Sequence, residues 1–309
     1  MTKHTQKNQE LSISTGIFTA FLCALFGANA VAIKISLAGF GVFTAAGLRF
    51  SIAAVAITLW ALFSRRSFYI PKNQFHHVII LALIFSVQLS FYYLGLSKSN
   101  ASRCTLIVNF QPFFTLLLTH FFIEKEKFTV RKFLGILMGF LGVAFVFWEE
   151  QGITADFKSG DLLIFTGSFL WACNAVYVKR IINRFKAFQL VLYPMIFSIP
   201  LFFAQSYFFD DHMFGTVTLP IITAILYQSL VAASFGFVAW TYLLSKYEAV
   251  SIHSFIFIMP ISGVFFGGII LGEPISSKIL VALMFITGGI LLIHFKFDKN
   301  LHSYLFYKG

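Results

Sequence analysis

The chain has 309 residues, of which 58% are hydrophobic and 11% charged, with a formal net charge of +11 and a mean hydropathy of +0.84. A soluble domain carries about a quarter charged residues, so this composition has too few charges to cover a water-facing surface. The three cysteines, Cys23, Cys104 and Cys173, all sit in apolar stretches, which excludes a disulfide framework and a CxxC site and leaves them as small packing residues.

In chain order, the windows free of Asp, Glu, Lys and Arg are 11–33, 73–97, 104–123, 133–148, 162–178, 187–209, 212–245, 249–272 and 279–295, with one more, 35–64, broken only by Arg49. A helix rising ~1.5 Å per residue needs about 20 apolar residues to cross a ~30 Å hydrocarbon core. Each window fits one crossing, so the sequence predicts ten. The shortest reach the interfaces by snorkelling, as from Lys132, or by an aromatic at headgroup depth, as with Trp148. Window 11–33 is longer than a signal-peptide core and reads as a crossing. With the N-terminus cytoplasmic, seventeen of the 23 Lys and Arg fall on the cytoplasmic side and five outside, while Glu149, Glu150, Asp156, Asp161, Asp210 and Asp211 collect outside. The positive charge is therefore an orientation signal with both termini inside, and not a nucleic-acid patch.

The chain repeats itself. "ALFGANAVAIKIS" (24–36) and "FLWACNAVYVKRI" (169–181) share Leu25/Leu170, Asn29/Asn174, Ala30/Ala175, Val31/Val176 and Lys34/Lys179 at an offset of 145. "SKSNA" (97–101) answers "SKYEA" (245–249), Pro112 answers Pro260, Glu126 answers Glu273, and Gly142 answers Gly289. Two five-helix halves follow, 11–148 and 160–296, flanked by cytoplasmic tails 1–10 and 297–309. Five is odd, so the second half enters the membrane upside down. The expected fold is an all-α integral membrane protein, ten transmembrane helices as two inverted five-helix repeats. Inverted repeats are a common build of secondary transporters, with substrate near the midplane between the halves.

These residues also carry a family resemblance. "GANAVAIKISLAGFGVFTAAGLRF" (27–50) resembles the first repeat of the drug/metabolite transporter superfamily, EamA type, whose pattern falls here on Gly27, Lys34, Arg49 and Phe50. "QPFFTLLLTHFFIEKEKFTVRKFLGILMGFLGV" (111–143) is similar to its helix four to helix five segment, through Pro112, Glu126 and Gly135. Residues 227–276 resemble its helix eight to helix nine segment, through Ser234, Trp240, Pro260 and Glu273. The second half departs from the pattern, because it lacks the Arg-Phe pair, its seventh helix carries Pro194 and Pro200, and Ala282 stands where Gly135 predicts a glycine. The resemblance implies an amino acid or similar small amphipathic solute, with export as the direction.

The polar residues inside the apolar windows are the candidate site. Asn29 and Asn174 must find hydrogen bonds when buried. Each reads either as an interhelical clip or as a substrate-facing amide. Gln88 and Tyr92 lie four apart on one face of helix three. Thr105, Asn109 and Pro112 share a face of helix four with Gln111 beside them, while Phe257 and Met259 replace the polar pair around Pro260 in helix nine. Trp171, Tyr193, Tyr227, Gln228 and Trp240 are further candidates, and most of the 42 Phe are packing or lipid-facing. Lys34 and Lys179 either snorkel or stand at the two mouths. Arg49 lies deeper and needs backbone carbonyls, substrate or a wet cavity. Pro112 and Pro260 are read as gating elements that free a carbonyl near the midplane.

Gly135, Gly139 and Gly142, with Gly263 and Gly267, read as close-packing stripes. Glu126 and Glu273 read as caps and interfacial pairs. No Asp or Glu lies inside an apolar core, which argues against a proton relay through a buried carboxylate and towards facilitated transport or exchange. His120 and His253 lie near helix ends and read as packing. The chain shows no HExxH, phosphate loop or nucleophile elbow, so it reads as a non-enzyme that needs no metal or cofactor. The expected partners are a small solute and membrane lipids, without nucleic acid; a homodimer is compatible with the sequence. The expected location is the plasma membrane, bacterial inner membrane. The rival reading is a non-transport membrane protein such as a lipid scramblase or scaffold, with an outward polar groove.

Overall fold

The structure is a computed structural model that describes residues 11–98, 107–124, 126–147, 159–271 and 278–294. Cys104, Thr105, Glu273 and both expected tails lie outside the described residues. The described residues form helices α1 (Ile13–Ser36), α2 (Val42–Phe63), α3 (Phe75–Lys98), α4 (Gln111–Phe122), α5 (Val130–Phe147), α6 (Ser159–Ile181), α7 (Gln189–Phe209), α8 (Leu219–Lys246), α9 (Ala249–Ile270) and α10 (Lys278–His294). Among the described residues, α1, α2, α3, α6, α7, α8 and α9 can each cross a membrane by length and composition, seven helices. The remaining helices are shorter, with 12 residues in α4, 18 in α5 and 17 in α10. Large apolar side chains face outward along the helices, such as Phe63, Phe121 and Tyr207, an arrangement that suits lipid and not water.

Local chemistry explains where several helices start. Ser12 caps α1 by accepting from the Thr15 amide at 3.2 Å. The start of α2 is capped from a distance, where the Asp210 carboxylate accepts from the amides of Phe43 (3.1 Å) and Thr44 (2.9 Å) and from the Thr44 hydroxyl (2.9 Å). A carboxylate there satisfies orphan N–H groups and complements the positive helix end. The α4 helix starts at Gln111, so Pro112 stands in its first turn, where a missing N–H costs nothing. The sequence reading placed that proline inside a helix, releasing a carbonyl. Pro194 and Pro200 do lie inside α7. Two helices change gauge along their length. The α8 helix widens to a π-helix over Tyr227–Gly236, and α9 tightens to a 3₁₀ turn over Ser254–Phe257.

The helices pack as α1 with α8 and α9, α2 with α7 and α8, α3 with α6 and α7, α4 with α6, and α5 with α10. One core joins α2, α3 and α7 around Phe50, Tyr93, Met195 and Phe202. A second joins α4, α5, α9 and α10 around Leu116, Ile136, Phe257 and Ile286. The α5/α10 contact is close, because glycines let the backbones touch. A Cβ on Gly135 would sit 2.6 Å from the Gly289 carbonyl, and one on Gly142 would sit 2.9 Å from the Ala282 carbonyl. The glycine stripe expected from sequence is thus a packing surface.

Candidate functional site

Helices this apolar bury few polar groups, and those they bury normally find partners. Here a set of them does not. Among the described residues, Asn29 Oδ1, Arg49 Nε, Gln88 Oε1, Gln111 Nε2, Thr115 Oγ1, Asn174 Nδ2 and His253 Nε2 are buried atoms without a hydrogen-bond partner. They come from α1, α2, α3, α4, α6 and α9. Five of these residues were candidates by sequence; Thr115 and His253 were not. Thr115 follows Gln111 by one helical turn, the spacing that could have flagged it.

The structure distributes the sequence candidates into three environments. In the first, Trp171 of α6 meets Tyr92 of α3 edge to face at 6.5 Å. Gly167 lets α6 lie against the backbone of Gln88 and Tyr92, and the Ser168 hydroxyl donates to the Val108 carbonyl at 3.1 Å. Asn109, Gln111 and Thr115 are buried on the α4 side. The second environment lies between α1, α2, α8 and α9. Trp240 packs on Phe26 (6.0 Å) and on His253 (5.5 Å), and Phe237 packs on Phe26 at 5.8 Å. The Arg49 guanidinium lies 5.1 Å from the Phe50 ring and 5.7 Å from the Phe237 ring.

Other candidates are committed to structure. Gln228 donates to the Ala32 carbonyl (3.1 Å) and to the Ser36 hydroxyl (3.0 Å), clipping α8 to α1. The Tyr227 hydroxyl donates to the Leu25 carbonyl at 3.0 Å. Tyr193 donates to the Phe68 carbonyl at 2.6 Å, at the α2–α3 connection and away from the mid-helix polar groups. Pro260 stands near the restart of α9 after its 3₁₀ turn.

The third environment is ionic, and sequence reasoning missed it as a unit. The Lys179 ammonium, 7% exposed, lies 3.5 Å from Glu126 and donates to the carbonyls of Leu244 (2.8 Å) and Tyr247. Glu126 is fully buried and accepts from the Ala249 amide at 2.8 Å, which caps α9. Burial pushes the Glu126 carboxyl above the usual carboxylate range, and the Lys179 ammonium works against that rise. Beside it Lys132 pairs with Glu248 at 2.9 Å. Lys179 therefore does not snorkel. It ties α6 to the α4–α5 connection and to the link between α8 and α9. The capping and pairing role read for Glu126 is the one it has here. Lys34, its counterpart in the repeat, is exposed in the last turn of α1. Among the described residues no group of three or more His, Cys, Asp or Glu could hold a metal.

Comparison with known proteins places this geometry. A family model described as the EamA-like transporter family matches residues 14–148 and 158–295. The "Uncharacterized transporter YoaV" of Bacillus subtilis (strain 168) is 23% identical over 292 residues, covering 94% of this chain and 99% of that one. A "Probable amino-acid metabolite efflux pump" of Escherichia coli (strain K12) is 25% identical over 289 residues, covering 90% and 94%. A solved crystal structure shares the fold, with a TM-score of 0.78 at 16% identity over 96% of this chain and 100% of that one.

Proposed function

The chain is an integral membrane protein of the EamA-like transporter family, and from that membership we propose that it moves a small metabolite, an amino acid or similar amphipathic solute, out of the cell by alternating access. The observation that carries this is the set of buried, unpartnered amides and hydroxyls on α1, α3, α4 and α6. Each such group lacks the interaction that normally makes burial tolerable, and a passing solute supplies it. The solute class follows the name of the Escherichia coli relative and the neutral, amide-rich character of the groups.

In this reading the protein is a ten-helix carrier in the bacterial inner membrane, with inverted halves 11–148 and 160–296 and both termini cytoplasmic. The α5/α10 contact supports the inversion. Adding the repeat offset of 147 to Gly135 and Gly142 gives Ala282 and Gly289. Gly135 meets Gly289 and Gly142 meets Ala282, so exchanging the halves turns one contact into the other. The pair runs antiparallel, and a two-fold that maps it onto itself lies across the helices. The wider packing supports the same relation, since α1 with α8 and α9 answers α6 with α3 and α4.

The test is uptake into proteoliposomes of pooled labelled amino acids, with and without an unlabelled pool inside. The expected result is counterflow stimulated by preloading and reduced in Asn29→Ala and Asn174→Ala. Absence of flux for every pool member, in folded protein, would overturn the amino-acid assignment.

A further inference from the structure

Arg49 is a polar group that the architecture does not use. It is 5% exposed within a membrane-crossing helix, and its Nε has no hydrogen-bond partner among the described residues. Its contacts there are the faces of two rings, Phe50 at 5.1 Å and Phe237 at 5.7 Å. An arginine cannot escape burial by losing its proton, as a lysine or glutamate can. Ring faces stabilise the plane of a guanidinium but leave its in-plane N–H fork empty. That fork matches a carboxylate bidentately.

The surroundings say what kind of carboxylate. From Phe237 the rings continue through Phe26 to Trp240 at 5.8 and 6.0 Å, an apolar wall beside the cation. Asn29, one turn beyond Phe26 on the same face of α1, has an unpartnered buried Oδ1 that suits an ammonium or amide N–H. The π-helical stretch of α8 holds this arrangement. The Ser234 hydroxyl shares its one hydrogen between the Ser229 carbonyl, five residues back, at 2.7 Å, and the Ala53 carbonyl of α2, one turn beyond Arg49, at 3.2 Å. That pins α8 against α2 just before Phe237. π-helical stretches often mark functional sites.

We infer that Arg49 anchors the carboxylate of the transported solute, with its apolar group against the Phe237–Phe26–Trp240 wall, so that the carrier selects amphipathic monocarboxylates over their neutral amides. This inference rests on the transport reading above and adds the anchor. The probes are phenylacetate and its neutral isostere phenylacetamide, added at millimolar concentration to the purified full-length protein in nanodiscs, with tryptophan fluorescence and thermal unfolding as readouts. Phenylacetate should bind wild type at least about tenfold more tightly than the amide does, the scale of a lost charge-assisted pair. Arg49→Gln should abolish the difference, and Arg49→Lys should retain part of it.

Equal binding of acid and amide by wild type, no binding of either, or an unchanged preference in Arg49→Gln would each overturn the anchor. The wild-type comparison needs no variant, so it decides the matter even if Arg49→Gln fails to fold. The two readings fail separately. Counterflow that persists with unchanged apparent affinity in Arg49→Gln would remove the anchor and leave the carrier. Carboxylate-selective binding without counterflow of any amino acid would keep the anchor and remove the amino-acid carrier.

Discussion

Two cations are buried among the described residues, and they are treated differently. Lys179 has an ion pair with Glu126 and two carbonyl acceptors. Arg49 has two ring faces and an orphaned Nε. A cation that holds a fold together is given acceptors, because an unpaired buried charge is costly. Lys179 meets that expectation. It closes one end of the helix bundle by joining α6, the α4–α5 connection and the α8–α9 link. Arg49 does not, and its position among aromatic rings and unpartnered amides is that of a group kept in reserve. Under the proposed anchor role, the difference is one between structural and functional charge within one chain.

The largest effect expected from breaking this comparison is at the paired end. Lys179→Ala leaves Glu126 buried and uncompensated, which should cost about 3–5 kcal/mol. Thermal unfolding in detergent should show the loss, and Glu126→Gln in the same background should recover most of it. Unchanged stability in Lys179→Ala would mean that the ionic cluster is ornamental. A smaller loss is expected where a charge is paired at a helix end. Asp210 accepts three hydrogen bonds at the start of α2, and Asp210→Ala should cost about 1–2 kcal/mol by the same measurement. A cost as large as that of Lys179→Ala would show Asp210 holding more than one helix end.

Much of this was legible in advance, for identifiable reasons. Apolar length is written directly in the sequence, so each of α1, α2, α3 and α6 to α9 is built around one of the apolar windows, with charged residues such as Lys34, Lys98, Asp161 and Lys179 only in their end turns and Arg49 the exception inside α2. The glycines of α5 announced a close contact, and the structure supplies α10 as the partner. The Lys179–Glu126 pair was not legible, because its members lie 53 positions apart and meet only through tertiary packing. Nor was the π-helix of α8, since a one-residue widening leaves no mark on hydropathy. Gln228 and Tyr193 look no different in sequence from the orphaned polar groups, each being one polar side chain in an apolar window. Only the structure shows that they are spent on the Ala32 and Phe68 carbonyls, whereas Asn29 and Gln88 keep an open oxygen.

The smallest expected effect is the most discriminating. Arg49→Met replaces the guanidinium with an apolar chain and leaves no buried partner behind, because no acceptor depends on Arg49 Nε. Replacing a buried charge by an apolar group is often neutral or stabilising. Unfolding in detergent without solute should therefore place Arg49→Met within about 1 kcal/mol of wild type, or above it, even though its Phe50 and Phe237 contacts sit in the densely packed α2 region. A loss of the size expected for Lys179→Ala would mean that the folded protein already supplies Arg49 with an anion or with carbonyls. The two cations would then be the same kind of residue, and the contrast between paired and reserved charge would disappear. A stable Arg49→Met would show the reverse, that this arginine is retained at no benefit to the fold, and what remains for it to bind is something that comes and goes.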